Sequence, residues 1–365
     1  LCRGSKALEM TKWFNTNYHY LVPEIYNDTK FKLNWKDTYS KWYNKPLYLI
    51  GPYTFLKLSK GLDSEHFEEK LMELADCYRE LLWNVKHAYS SFHIDEPAFV
   101  MDTTKEEVEM IKKVYDEISK APVKINLFTY YEDVDWLKEL CELPVNGIGL
   151  DFVNGRNNFR NLQSTGFPKD KTLFVGLVDG TNVWRTNIKH AVNTLDRLSK
   201  WTDDLVVTNA GPLYHLPVTL KGESHFSHFL YKHLSFATEK LQELNDIKNK
   251  DYSKYSTYVG EWDNMVEGRV DNLKDDDFVK STDVTERRKL QDNILNLPEL
   301  PTTTIGSFPQ TKDVRLNRLD YKKDRIEVSE YNENIRQFVR EAVYIQEEIG
   351  MDVLVHGESE RSDMV

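Results

Sequence analysis

The chain has 365 residues, 40% hydrophobic and 29% charged, enough apolar content for a large core and for more than one domain. A formal net charge of −11, with no basic stripe interleaved with aromatics, argues against a duplex nucleic-acid binder. No apolar run reaches the ~18 residues needed to span a bilayer, and the three cysteines (Cys2, Cys77, Cys141) form neither a C-x-x-C pair nor an even framework, which fits a reducing cytoplasm.

Residues 9–25 are dense in aromatic and hydrogen-bonding side chains without clean helical or strand periodicity, and are expected to form a partly buried loop leading to a binding surface. The run Pro46-Leu-Tyr-Leu-Ile50, ended by Gly51-Pro52, reads as a buried parallel strand. Ser64 is placed to N-cap a helix whose first turn holds Glu65, Glu68 and Glu69. In that helix Phe67, Leu71, Leu74, Ala75, Tyr78, Leu81 and Leu82 recur at three and four. Residues 91–97 read as a strand ending in acids, and Thr104-Lys-Glu-Glu107 is a capping box for a helix to about residue 119. Further strands are predicted over 123–130, 147–153, 172–178 and 205–208, with helices at 133–140 and 188–200. One long helix follows, with Phe226, Phe229, Leu230, Leu234, Ala237, Leu241 and Leu244 along a face. Six strand candidates before residue 210, each followed by helix or loop, predict an α/β chain with a parallel sheet. Periodicity leaves both a barrel and a doubly wound sheet open, although no Gly-x-Gly-x-x-Gly supports the latter as a dinucleotide fold.

Residues 247–295 are rich in Lys, Asp, Asn and Glu with few apolar anchors, the pattern of a solvated linker with some helix. In Pro301-Thr302-Thr303-Thr304-Ile305-Gly306-Ser307-Phe308-Pro309-Gln310, the β-branched run favours a strand, Gly306 permits a turn, and Pro309 stops pairing. Ser307 then sits where strand opens into loop. A charged helix is predicted over 331–349 and a strand over 352–356, followed by His356-Gly357-Glu358-Ser359-Glu360-Arg361. Carboxylates in such a place can hold a substrate ammonium or act as general bases. One βαβ unit has unpaired edges and half a core, so the chain is expected to be a truncated protein. His225 and His228 share a helical face but His233 does not, and no metal is expected there.

The stretch from Pro301 resembles the opening strand of the C-terminal barrel of cobalamin-independent methionine synthases. The run from His356 resembles that family's His-Gly-Glu-x-Glu-Arg-Asn-Asp-Met-Val loop, departing only at Ser362. Glu9-Met-Thr-Lys-Trp-Phe-Asn-Thr-Asn-Tyr-His-Tyr20, Ile94-Asp-Glu-Pro-Ala98 and Gly176-Leu-Val-Asp-Gly-Thr-Asn-Val-Trp-Arg185 are similar to its N-terminal signatures, whereas Thr208 to His215 departs from the family pattern and receives no role. The resemblance implies tandem (β/α)8 TIM-type barrels: most of an N-terminal barrel over 1–246, a charged linker over 247–297, and the start of the catalytic barrel over 298–365. It implies methyl transfer from 5-methyltetrahydropteroyltri-L-glutamate to homocysteine, dependent on zinc and not on cobalamin. Ile305, Gly306 and Ser307 would hold the polar end of the amino acid, Glu358 its ammonium, and Lys12 the folate tail. Asp95 and Glu96 are taken as structural acids. The zinc ligands are expected beyond residue 365, so the chain alone should be inactive, an internal piece of a cytoplasmic, monomeric enzyme with no nucleic-acid or membrane partner. Two other readings stay open: a non-catalytic folate-polyglutamate binding module, and a related zinc methyltransferase with another methyl donor.

Overall fold

The computed structural model describes residues 8–34, 46–89, 91–252, 266 and 268–361. The chain divides into two compact units between residues 269 and 270.

The first unit opens on a hairpin, β1 (Met10–Lys12) antiparallel to β2 (His19–Leu21), in place of the expected loop. Its strands are three residues long, too short for a period of two to show in the sequence. Six parallel strands follow: β3 (Leu47–Ile50), β4 (Phe92–Asp95), β5 (Ile125–Phe128), β6 (Gly147–Asp151), β7 (Thr172–Val178) and β8 (Leu205–Asn209). All six coincide with predicted strands. They lie side by side in chain order, each parallel to the next. A doubly wound sheet would reverse direction once; this one never does, so it is the singly wound arc of an αβ-barrel architecture.

Register explains the two faces. Leu49, Ile94, Leu127, Ile148, Leu173 and Leu205 align across the sheet and turn outward to the helices. There they join the core with α1 (Pro52–Lys57), α2 (Phe67–Val85), α3 (Lys105–Ile118), α4 (Leu137–Glu142), α5 (Asn158–Thr165) and α6 (Ile188–Leu198). Each fully buried leucine there contributes about 1.5–3 kcal/mol. The inner row is Ile50, Asp95, Phe128, Gly149, Phe174 and Val206. Gly149 is required by close approach: a Cβ there would lie 2.3 Å from the Phe128 ring.

Local signals held to different degrees. Thr104 makes the predicted capping box with Glu107. Helix α2, however, starts at Phe67, and Asp63 rather than Ser64 receives the N–H at its start, that of His66, at 3.0 Å. The long helix predicted after residue 226 is two, α7 (His228–His233) and α8 (Ala237–Asn249). Between them Leu234 leaves the helix to bridge Trp184, and packs with Leu220 and Phe236.

The second unit contains α9 (Val284–Leu295), with no buried residue, then α10 (Lys312–Lys322) and α11 (Val328–Glu348). The stretches read as strands at 301–305 and 352–356 carry no ladder. They still meet in parallel sense: Val353 N–H donates to Thr302 O at 3.0 Å and Phe308 N–H to Gly357 O at 2.9 Å. Side chains stand in for a ladder. The Asp352 carboxylate accepts from the Thr302 N–H at 2.7 Å, and buried Gln346 of α11 bonds both the N–H and the C=O of Val355, each at 2.8 Å. Both backbone groups of Val355 are thereby satisfied by a side chain rather than by a neighbouring strand.

Candidate functional site

In the second unit the structure brings together Gly306, Ser307 and Glu358. Ser307 Oγ–H donates to Glu358 Oε2 at 2.8 Å across 51 residues of sequence. Arg361 donates to the same oxygen at 3.0 Å. Gly357 and Glu358 both take positive φ, +84° and +57°, a backbone region sparsely used by residues other than glycine. Gly306, at φ +140°, faces the other carboxylate oxygen: a Cβ there would stand 3.7 Å from Glu358 Oε1. Lacking one, it leaves that approach open. The Ile305 side chain is fully exposed, so only its backbone faces the turn. Ser362 lies outside the described residues.

Loop and turn are joined by groups that the sequence reading did not single out. Arg318, on α10, donates through Nη2 to Gln310 Oε1 at 3.0 Å, Ser359 O at 3.3 Å and Arg361 O at 2.8 Å. The one signal in the sequence was Thr311, which caps α10 by accepting from the Val314 N–H at 3.3 Å.

In the first unit Lys12 is exposed on β1 opposite His19, and no ion pair engages it among the described residues. The adjoining Trp13 turns inward, its indole N–H donating to Tyr131 Oη at 3.1 Å; that hydroxyl lies 3.0 Å from His215 Nε2. Tyr131 takes φ +82°, strained for an aromatic residue, and its N–H is held by Asp151 Oδ2 at 3.1 Å. Asn15, Thr16, Asn17, Tyr18, Thr181 and His215 enclose a polar cavity of about 170 Å³ beside the hairpin. Nothing in sequence links positions 13, 131 and 215.

Asp95 ends β4 on the inner face, accepts from Tyr130 Oη–H at 3.0 Å, and is pushed up to about 7 by desolvation. Glu96, fully buried, accepts from the N–H groups of Tyr53 at 3.2 Å and Thr54 at 2.7 Å, at the N-terminus of α1, and from Tyr115 Oη–H at 2.9 Å. Burial raises it to about 7 as well, against those donors. In the Gly176-to-Arg185 run, Asp179 accepts from the N–H and hydroxyl of Thr181, both at 2.7 Å, and Arg185 N–H bonds His233 O at 2.9 Å. The first contacts shape one loop and the second ties two segments together.

No three His, Cys, Asp or Glu side chains converge as a metal would need among the described residues, which exclude Cys2 and the side chain of His228. The Cys141 thiol is raised to about 11 by burial, the reverse of what a thiolate ligand requires. The described residues therefore do not fit the zinc that the resemblance implies.

Parallel strands in chain order, wrapped by crossover helices and ending in polar loops, define the first unit as an α/β-barrel type of protein. A sequence family described as "Cobalamin-independent synthase, N-terminal domain" matches residues 1–203, and one described as "Cobalamin-independent synthase, Catalytic domain" matches residues 300–365. The chain belongs to the cobalamin-independent synthase family. It is 40% identical over 382 residues to a 5-methyltetrahydropteroyltriglutamate–homocysteine methyltransferase of Lactococcus lactis subsp. lactis, covering 99% of this chain and 50% of the relative. With the protein of the same name from Thermotoga sp. strain RQ2 it shares 41% identity over 385 residues, 100% of this chain and 51% of the relative. The chain thus spans about half the length of the curated relatives it matches. A B12-independent methionine synthase from Shewanella, solved with selenomethionine, aligns with a TM-score of 0.42 at 17% identity over 56% of this chain and 62% of that one.

Proposed function

We propose that the protein, at the length of its relatives, transfers a methyl group from 5-methyltetrahydropteroyltri-L-glutamate to homocysteine, giving methionine. Sulfur takes the methyl, and a proton takes up the electron pair left on the folate nitrogen. Family membership makes the reaction cobalamin-independent; zinc, in this reading, is held by residues beyond position 365 of the longer protein. In this reading residues 1–246 belong to an N-terminal barrel, 247–297 to a linker and 298–365 to the opening of the catalytic barrel, with buried Ile247 at the end of α8 carrying the first unit's core just into the linker stretch. The setting is the cytoplasm, a reading that the scattered cysteines support, and the working unit is a monomer.

The observation that carries the reading is the Ser307–Glu358 pair, 2.8 Å apart and built from the two runs that resemble the family's amino-acid site. Arg361 occupies Oε2 of Glu358, leaving Oε1 toward Gly306 for a substrate ammonium. The backbone of Ile305, Gly306 and Ser307 borders the amino acid's polar end. Lys12, an exposed cation with no ion-pair partner among the described residues, suits the carboxylates of a glutamate tail. The names of the relatives supply the methyl donor and favour this reading over a zinc methyltransferase with another donor.

The test is an assay of the intact protein with homocysteine and methylfolate triglutamate in cobalamin-free buffer. Methionine should accumulate, faster with the triglutamate than with the monoglutamate. No methionine under those conditions would overturn the proposal.

A further inference from the structure

We infer that Arg318 is a positioning residue for the amino-acid site, the clamp that holds the Glu358 loop against the Gly306–Ser307 turn. The inference rests on the reading of Ser307 and Glu358 as the homocysteine-binding pair.

The chain builds the clamp in a few steps. Thr311 caps α10 immediately after the motif that ends in Gln310. Val314 and Asn317, three residues apart and both buried, fix one face of that helix to the unit. Arg318 lies on the same face, one full turn past Val314 and about two turns past Thr311. It therefore points back over the segment that precedes its own helix. There the Nη2 group shares two hydrogens among three acceptors: Gln310 Oε1, Ser359 O and Arg361 O. Gln310 closes the arrangement by donating to Arg361 O at 3.3 Å. One guanidinium thus joins the motif from Pro301 to the loop from His356.

What the clamp holds is a loop in an unfavourable backbone state. Glu358 carries a side chain at φ +57°. Such residues persist where their surroundings over-determine them. The bonds from Arg361 N–H to Glu358 O (3.1 Å) and from Arg361 Nη1 to Glu358 Oε2 (3.0 Å) are internal to the loop, so they move with it. Arg318 bonds carbonyls on either side of Glu360 from a helix anchored elsewhere in the unit. Released from it, the loop keeps the bonds from Phe308 N–H to Gly357 O and from Ser307 Oγ–H to Glu358 Oε2 but loses its hold beyond Glu358, so it can relax toward ordinary φ values and carry Oε1 away from the open side of Gly306. Binding of the amino acid weakens, while folate binding is untouched.

Steady-state kinetics of the intact protein, varying homocysteine and methylfolate triglutamate separately, test this with Arg318→Met and Arg318→Lys. Methionine keeps the apolar stem and removes the donors; lysine keeps the charge and loses the planar fork. For Arg318→Met the KM for homocysteine is expected to rise roughly tenfold or more, the scale of losing hydrogen bonds from a charged donor. The KM for the folate and kcat should stay within about twofold, with Arg318→Lys recovering part of the loss. Saturation with homocysteine in the wild type together with an unchanged KM in Arg318→Met overturns the inference alone. So does a parallel change in both KM values with a lowered melting temperature, since that marks a merely structural role. If Arg318→Met does not fold, Arg318→Lys decides: a homocysteine KM equal to wild type overturns the inference, and a selective rise supports it. A wild type that never saturates with homocysteine overturns the reading of the site and this inference with it.

Discussion

Asp95 lies on the inner face of β4 and Glu96, one residue on, reaches beneath α1, so adjacent carboxyls meet different partners. Glu96 spends both oxygens on donors, Tyr53 N–H and Tyr115 Oη–H on Oε1 and Thr54 N–H on Oε2. Glu96→Gln would turn one acceptor into a donor facing another donor, and should cost about 1–3 kcal/mol in denaturant unfolding. An unchanged midpoint would show that those contacts do not hold α1. Among the described residues the Asp95 carboxyl has one donor, Tyr130, and desolvation raises it from 3.8 to about 7. Because the folded value exceeds the unfolded one, the folded state binds the proton more tightly between them. Its contribution is fully present below about 3.8 and is lost as pH rises to about 7. Asp95→Asn carries no such dependence, so relative to wild type it should gain roughly 1–3 kcal/mol between pH 4 and pH 8, less than the full shift at ~1.4 kcal/mol per unit because Asp95 keeps some exposure. Denaturant unfolding at the two pH values checks it; a pH-independent difference would mean that Asp95 titrates normally.

Among elements, the clearest local instruction is the box at α3. Thr104 Oγ1 accepts from the Glu107 N–H at 3.2 Å, and Glu107 Oε2 accepts from the Thr104 N–H at 2.9 Å. Thr104→Ala should cost about 1 kcal/mol, read as a lowered denaturation midpoint with the slope unchanged. This box and the six strands were legible because each is written in adjacent residues. Elements whose cause is distant were not. Gly51-Pro52 reads as a strand end, yet Pro52 also opens α1, a position proline suits. Leu234 sits in a helical apolar pattern and still leaves the helix, because Trp184, fifty residues earlier, offers a bridge. The 352–356 segment has strand composition, but the backbone groups of Val355 within it are taken by Gln346. The candidate site shows the same split: the runs holding Ser307 and Glu358 could be read in sequence, while Arg318 and the Trp13–Tyr131–His215 contacts exist only in three dimensions. Tyr131→Phe tests those contacts, since it strands the Trp13 indole N–H; the first unit should lose about 1–2 kcal/mol.

For the whole molecule, the proposed roles of Lys12 and of the Ser307–Glu358 pair fall on different units, and that assignment can be measured. Lys12 belongs to the first unit and Ser307 and Glu358 to the second. If Lys12 meets the glutamate tail, Lys12→Ala should raise the KM for methylfolate triglutamate roughly tenfold, the scale of a lost charged hydrogen bond. The monoglutamate, which lacks most of the tail, should be affected far less, and so should homocysteine. Glu358→Gln should do the reverse: Oε1 loses its charge, homocysteine binding weakens about tenfold or more, and the advantage of triglutamate over monoglutamate persists. The double variant then tests independence. With the two groups acting on different substrates, their effects on the transition-state free energy should add within ~0.5 kcal/mol. A Lys12→Ala variant that weakens homocysteine as much as the triglutamate would remove Lys12 from the folate tail. A Glu358→Gln variant that leaves homocysteine untouched would remove the Ser307–Glu358 pair from the amino-acid site. Strong coupling in the double variant would mean that the two units sense each other's substrate, and the assignment of one substrate to each would fall.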